Sequence, residues 1–231
     1  MKKKIFLSLV LSVFAFCATA KSWENYAGIG VNVPFSMMNA SLENSSDAND
    51  EDRNITQIGY GAEVQYIGVH SNGFSLKTGF SVGCITSDDI DVQNYSRNVG
   101  FYENLAIGLG YSFIHTDTYL LGLAAMGGVE IAQYSDDWNR DKDDVNHNYT
   151  DSISLVSVSV GGDIFYVYNI GRRFGFFGNI GARYVPLGAG KREFRDKWVV
   201  SNITNSKTEQ FDIDIAGKFI INPTFGVMWH F

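Results

Sequence analysis

The chain has 231 residues, with 18 basic and 25 acidic side chains, a formal charge of −7, 14% aromatic residues and only 3 prolines. So acidic a balance repels the phosphate backbone and excludes nucleic-acid partners. Beyond residue 20 there is no run of 18 uncharged apolar residues, which excludes a membrane-spanning helix; passage through lipid would need a closed β-barrel, since only helices and barrels satisfy every backbone polar group there.

Lys2, Lys3 and Lys4 precede an apolar stretch from Ile5 to about Ala18, and Ala18-Thr19-Ala20 supplies a small-x-small cleavage pattern. Residues 1–20 are therefore expected to be a signal peptide and 21–231 a barrel domain. Phe16 is too large for the residue that precedes a lipidated cysteine, so Cys17 leaves with the leader. Cys84 then stands alone, no intramolecular disulfide can form, and the fold rests on hydrogen bonds and packing.

Apolar residues alternate with small or polar ones in eight segments, the period of a strand with one greasy face. The first sets Ala27, Ile29, Val31, Val33 and Phe35 against Gly28, Gly30 and Asn32. The second sets Ile58, Tyr60, Ala62, Val64 and Tyr66 against Gly59, Gly61, Glu63 and Gln65, and the third Phe74, Leu76, Thr78, Phe80 and Val82 against Ser75, Lys77, Gly79, Ser81 and Gly83. In the fourth, Phe101, Leu105, Ile107, Leu109 and Tyr111 oppose Asn104, Ala106, Gly108 and Gly110. Then Tyr119, Leu121, Leu123, Ala125, Val129 and Ile131 oppose Gly122, Ala124, Gly128 and Glu130. Val156, Val158, Val160, Ile164, Tyr166 and Tyr168 lie over Ser157, Ser159, Gly161 and Asp163, and Phe174, Phe176, Ile180, Ala182 and Tyr184 over Phe177, Asn179, Gly181 and Arg183. The eighth segment alternates through Phe219, Ile221, Pro223, Phe225, Val227, Trp229 and Phe231.

Short turns are expected at 70–73, 112–118 and 169–173, and longer polar loops at 37–54, 86–98, 135–151 and 186–208. An even strand number with short turns on one side and long loops on the other is the layout of an eight-stranded, up-and-down, antiparallel transmembrane barrel with periplasmic turns and four extracellular loops. A soluble barrel would turn its apolar face inward, but the opposite face here, mostly Gly, Ala, Ser and Asn, is too weakly charged for a water-facing surface. Tyr66, Phe74, Tyr111, Tyr119, Tyr166, Tyr168, Phe174, Trp229 and Phe231 sit near strand ends as an expected periplasmic girdle.

An eight-stranded barrel is only just wide enough to be filled by side chains. Inward glycines such as Gly61, Gly108 and Gly181 imply either a slender cavity or relief of crowding in a tightly coiled wall. Glu63, Lys77, Asp163 and Arg183, with Glu130 nearer the outer rim, are the lumen-lining charges, and Glu63 and Lys77 are expected to pair across one hairpin. No catalytic site emerges: His147 with Asp143 and Asp144 lies in an expected loop without a paired nucleophile, and no enzyme activity is expected. His70, His115 and His230 do not cluster with Cys84, and the acidic run Asp136, Asp137, Asp141, Asp143 and Asp144 lacks the glycine and glutamate of an EF-hand, so neither metal nor cofactor is expected. The Asn-x-Ser/Thr triplets at Asn44, Asn54, Asn94, Asn148 and Asn202 read as turn composition.

The apolar terminal strand ending in Trp229 and Phe231 resembles the assembly signal of bacterial outer-membrane barrels, which implies the barrel-assembly machinery and outer-membrane lipid as partners. Gly162-Asp163 followed by aromatics, Ala182-Arg183-Tyr184, and Ile221-Asn222-Pro223 before Gly226-x-x-x-His230-Phe231 are similar to the OmpW/AlkL-like group, where an Asp-Pro-Trp-like step stands in place of Asn222-Pro223-Thr224. The resemblance implies a monomeric outer-membrane channel that takes up small hydrophobic solutes and releases them sideways through its wall. The alternative is an OmpA/OmpX-like structural or adhesive barrel that binds a host or surface ligand through its loops.

Overall fold

The computed structural model describes residues 22–43, 51–88, 98–142, 145–200 and 203–231, and its strands are β1 (Trp23–Asn32), β2 (Phe35–Glu43), β3 (Glu51–His70), β4 (Phe74–Asp88), β5 (Asn98–His115), β6 (Tyr119–Lys142), β7 (Val145–Asn169), β8 (Phe174–Val200) and β9 (Ile203–His230). The expected signal peptide, together with Asn44, Asn94, Asp143, Asp144 and Asn202, lies outside the described residues. All pairings are antiparallel, and they close into a ring. β1 and β2 both lie between β3 and β9, so they are two halves of one wall position interrupted at Pro34, which has no N–H to give a ladder. The ring therefore has eight positions. The chain passes the interruption with its pairing kept: the Val33 N–H donates to the Pro223 carbonyl at 3.1 Å, and the Gly59 N–H to the Pro34 carbonyl at 2.7 Å.

The surface is inverted relative to a water-soluble barrel. Leu123 is 53% exposed and Phe225 67%, whereas Lys77 and Asp163 are each 1% exposed. Apolar side chains face outward in all eight positions and polar ones inward, an arrangement that is stable only when the outside is lipid. Phe74, Tyr111, Tyr119, Tyr166, Tyr168, Phe174, Trp229 and Phe231 are exposed near the short-turn end, with Tyr119 stacked on Tyr168 at 5.4 Å and Phe174 edge-on to Trp229 at 6.1 Å. Tyr66 corrects the expected girdle. Its ring is buried, and its hydroxyl donates to the Asn25 carboxamide oxygen at 2.6 Å beside Gly68, which the Trp23 ring also borders, so at this end of β3 both faces are covered.

Within the long polar connections expected at 37–54, 86–98, 135–151 and 186–208, the described residues 37–43, 51–54, 86–88, 98, 135–142, 145–151, 186–200 and 203–208 are strand. β6 and β7 pair without interruption from Tyr119↔Tyr168 up to Lys142↔Val145, and β8 and β9 pair as far as Val200↔Ile203. Above the lipid both faces of a strand meet water, so the apolar alternation that marks a strand disappears while backbone pairing continues. Four adjacent strands thus rise as a tall wall on one side of the extracellular mouth.

The inward glycines are sockets rather than the lining of a void. A Cβ on Gly28 or Gly30 would meet the Phe177 ring at 3.0 or 2.7 Å, and one on Gly61 or Gly83 would meet Tyr102 at 2.6 or 2.8 Å. Gly122 faces Phe165 in the same way, Gly108 faces Met126, and Gly181 faces Asp163. Large residues from other strands fill the lumen, and glycine makes room for them. They form two apolar clusters. The lower includes Tyr26, Phe165, Phe177 and Met228, and the upper Tyr102, Tyr134, Leu155 and Ile215.

Gly61→Ala places a methyl against both the Val82 carbonyl and Tyr102, so it should cost about 1–3 kcal/mol by overpacking. At Gly178 the nearest such atom is the Thr224 carbonyl at 3.9 Å, and Gly178→Ala should change stability by no more than about 0.5 kcal/mol. Urea unfolding in lipid vesicles measures both; equal stability of the two variants would contradict the socket account.

Candidate functional site

Between the two apolar clusters the lumen is crossed by a charged layer. Asp163 on β7 accepts from Lys77 on β4 at 2.5 Å and from Arg183 on β8 at 3.4 Å, and Arg183 also donates to the Asn104 carboxamide at 3.2 Å. Glu130 on β6 pairs with Lys218 on β9. Glu63 on β3 accepts from the Thr224 hydroxyl at 3.0 Å and from the Asn222 amide at 3.5 Å. Asn222 in turn accepts from Asn32, and Asn32 from the Tyr102 hydroxyl at 3.1 Å. Three carboxylates thus face three cations in this layer, the balance that lets buried charges persist.

The expected Glu63–Lys77 pair is not formed. The register of the hairpin sets Glu63 opposite Ser81 and Lys77 opposite Ile67, two steps apart along the same face, and Lys77 reaches across the lumen to Asp163 instead. Glu63 opposite Ser81 centres the hairpin on residue 72, whereas a Glu63–Lys77 pair needs a centre at residue 70, and Gly73 at φ 90° closes the turn at that later register. Lys218 escaped the sequence reading because it stands one step before the terminal alternation begins. Its parity with Ile220, Asn222 and Thr224 was the available signal. Arg192, paired with Asp151 at 3.0 and 2.6 Å, escaped because its surroundings read as loop.

Above the charged layer the inward residues turn apolar, and the wall beside them is irregular. Between β7 and β8 the register shifts from Val158↔Leu187 to Val160↔Tyr184, so two residues of β8 oppose Ser159 alone. Between β8 and β9 the ladder runs to Val185↔Lys218 and resumes at Gly188↔Ile215, leaving Pro186 and Leu187 without partners in Ala216 and Gly217. β9 also bulges against β2, between Asn39↔Gly217 and Ala40↔Ile215. Three breaks therefore meet at one patch, with Pro186 unable to donate, Leu187 70% exposed outside, and Val185 and Ile215 buried inside.

At the mouth, His147 Nδ1 lies 2.8 Å from Asp196 Oδ1 on β8, while Asp143 and Asp144 lie outside the described residues. At the floor, Glu24 lies 3.0 Å from His115 and 3.7 Å from His230, whose ring stacks on Tyr26. His70 is in the β3–β4 turn beside Asn72, and Cys84 is half-buried on β4 between Tyr60 and Phe101. Trp229 and Phe231 face outward, and the Phe231 N–H donates to the Asn25 carbonyl at 2.9 Å, tying the last residue to the first strand.

No protein-family model matches the chain, and no curated protein matches it. Among solved structures it is similar to the outer membrane protein OprG from Pseudomonas aeruginosa, with a TM-score of 0.50 and 10% identity over 91% of this chain and 97% of that one. The chain is a small outer-membrane β-barrel. Two further barrels resemble it at lower scores. A major outer membrane protein from Thermus thermophilus has a TM-score of 0.47 at 12% identity, covering 88% of this chain and 99% of that one. AlkL, solved in lipid bilayers, has a TM-score of 0.45 at 10% identity, covering 90% of each. At such identities the likeness is one of fold. The fold shared with OprG, together with the lipid-facing surface, is that of a bacterial outer-membrane barrel.

Asp163→Asn removes the carboxylate that serves both Lys77 and Arg183 and should destabilise the barrel by about 3–5 kcal/mol. Lys77→Met leaves Asp163 with Arg183 and should cost clearly less. Equilibrium unfolding of the two variants in vesicles measures the difference, and equal losses would show that Asp163 is not the shared partner.

Proposed function

We propose that the barrel is a channel for small hydrophobic solutes, which reach the upper apolar cluster from outside the cell, pass by movement of its side chains and leave sideways through the wall. The observation that carries this reading is the meeting of three pairing breaks at Pro186–Leu187 and Ala216–Gly217, directly beside the apolar residues Val185 and Ile215. The straight route down the axis is obstructed by the charged layer and the lower cluster, and an apolar molecule gains nothing by crossing ion pairs. The route sideways is apolar throughout. Leu187 on the outer side continues the apolar surface of the cluster.

A cysteine pair at Pro186 and Gly217, in a Cys84→Ser background, tests the exit within one protein. Toluene uptake into proteoliposomes should fall at least about 5-fold on oxidation and recover on reduction, a ratio equivalent to about 1 kcal/mol of barrier. Equal rates in both redox states would rule out the sideways exit. If the untreated barrel does not speed uptake at all, the channel fails, and surface recognition by the tall hairpins β6–β7 and β8–β9 becomes the better reading, since exposed structure on a rigid scaffold commonly carries binding.

The outward Trp229 and Phe231 fit a handle for the barrel-assembly machinery. Deleting Phe231 should lower the yield of inserted barrel in cells several-fold while leaving a barrel refolded in vitro within about 1 kcal/mol of the parent. Unchanged insertion in cells would remove that role.

A further inference from the structure

The tall wall carries a row of rings that neither the fold nor the sideways exit requires. Trp198 and His147 stack at 5.3 Å with their planes 15° apart, His147 and Tyr149 at 5.7 Å and 17°, and Tyr149 and Phe194 at 5.8 Å and 27°. The rings share one face of the β7–β8 ladder, where His147 opposes Trp198 and Tyr149 opposes Asp196. That face is the inner one. His147 and Tyr149 keep the parity of the buried Ile153 and Leu155, and Phe194 and Trp198 keep that of the buried Arg192. An interfacial girdle would face outward, so the lipid does not explain these rings.

The row is held in place. Asp196 fixes the His147 imidazole at 2.8 Å, and below the rings Asp151 grips the Arg192 guanidinium through two hydrogen bonds, setting another planar π group beneath Phe194. Level with Arg192 across the ladders stand Ile153 and Tyr134, and with Leu155 they belong to the upper apolar cluster. Four near-parallel rings thus stand in a row at the mouth, above the upper apolar cluster. Parallel planes at these spacings favour a partner that is itself flat, because offset stacking rewards a π face and a puckered saturated ring cannot match it.

We propose that the Trp198–His147–Tyr149–Phe194 row is a capture site for planar aromatic solutes at the extracellular mouth. Its role in uptake rests on the channel reading above, but binding itself does not. Naphthol and its saturated analogue decalol share size and hydroxyl group and differ in planarity, so they are the probes. In the full-length barrel in lipid nanodiscs, naphthol should shift the NMR signals of the Trp198 indole and the His147 imidazole, and decalol should not. Naphthol should also enter proteoliposomes faster than decalol by roughly 2- to 10-fold, the ratio that one aromatic contact provides. Trp198→Leu together with Tyr149→Leu should bring the two rates to within a factor of two of each other. Shifts with naphthol but no transport of either probe would support the site and reject the channel. Equal shifts with both probes, no shift with either, or a preference that survives the double variant would overturn the capture site.

Discussion

In lipid a strand has no water to pair with, so every backbone N–H and carbonyl must find a neighbouring strand and the sheet must close on itself. The rest of this structure follows from that closure. β1 and β2 show how far it is enforced: Pro34 ends one run and begins another, yet both halves remain bracketed by β3 and β9, and the gap is bridged by the Val33 and Pro34 backbone groups. Closure at eight positions then fixes a narrow interior, which side chains must fill. Phe165, Phe177, Tyr102 and Met126 fill it, and each lies against a glycine on another strand, the adjacent one for Phe165, Tyr102 and Met126 and the next but one for Phe177, where any side chain would collide. Residue size on one strand is thereby coupled to residue absence on another.

The same narrowness dictates how charge is handled. Six ionisable side chains inside so small a ring could not be buried without partners, since an unpaired buried charge costs more than most contacts return. They come as Asp163 between Lys77 and Arg183, Glu130 with Lys218, and Glu63 in a chain of hydroxyl and amide donors. The pairs link strands on opposite sides of the ring, β4 with β7 and β6 with β9, and so brace the cross-section where a hydrophobic filling would be free to slide.

Much of this was legible in the sequence because lipid imposes a period of two. The outward residues from Ile29 to Phe231, the short turns and the inward position of Glu63, Lys77, Glu130, Asp163 and Arg183 all follow from that period. What could not be read was everything that depends on register or lies beyond the lipid. Glu63 and Lys77 share a face, but which of them meets which partner is set by a turn whose centre shifts the pairing by residues, and Asp163 is distant in sequence. Arg192, His147 and Trp198 lie in strands with water on both sides, where alternation carries no apolar signal. Tyr66 keeps the outward parity of its strand yet ends up buried, because both faces of β3 are covered there.

The location of the wall breaks follows from the same constraint. An unpaired backbone group deep in hydrocarbon costs several kcal/mol, so a seam cannot be placed at random along a strand. Here it lies just above the lipid-facing Tyr184, at Leu187, with the charged Lys191 only two outward steps further up β8. Two outward steps above it the wall turns polar at Gln133, Ser154 and Lys191, so water is near enough to reach the Pro186–Leu187 and Ala216–Gly217 backbone, while the upper cluster behind it is still apolar. A break lower down would be too costly, and one higher up would open into water, where an apolar solute has no reason to go. The boundary between the apolar and the polar wall is therefore the one level at which a closed barrel can tolerate a gap and a hydrophobic molecule can use it.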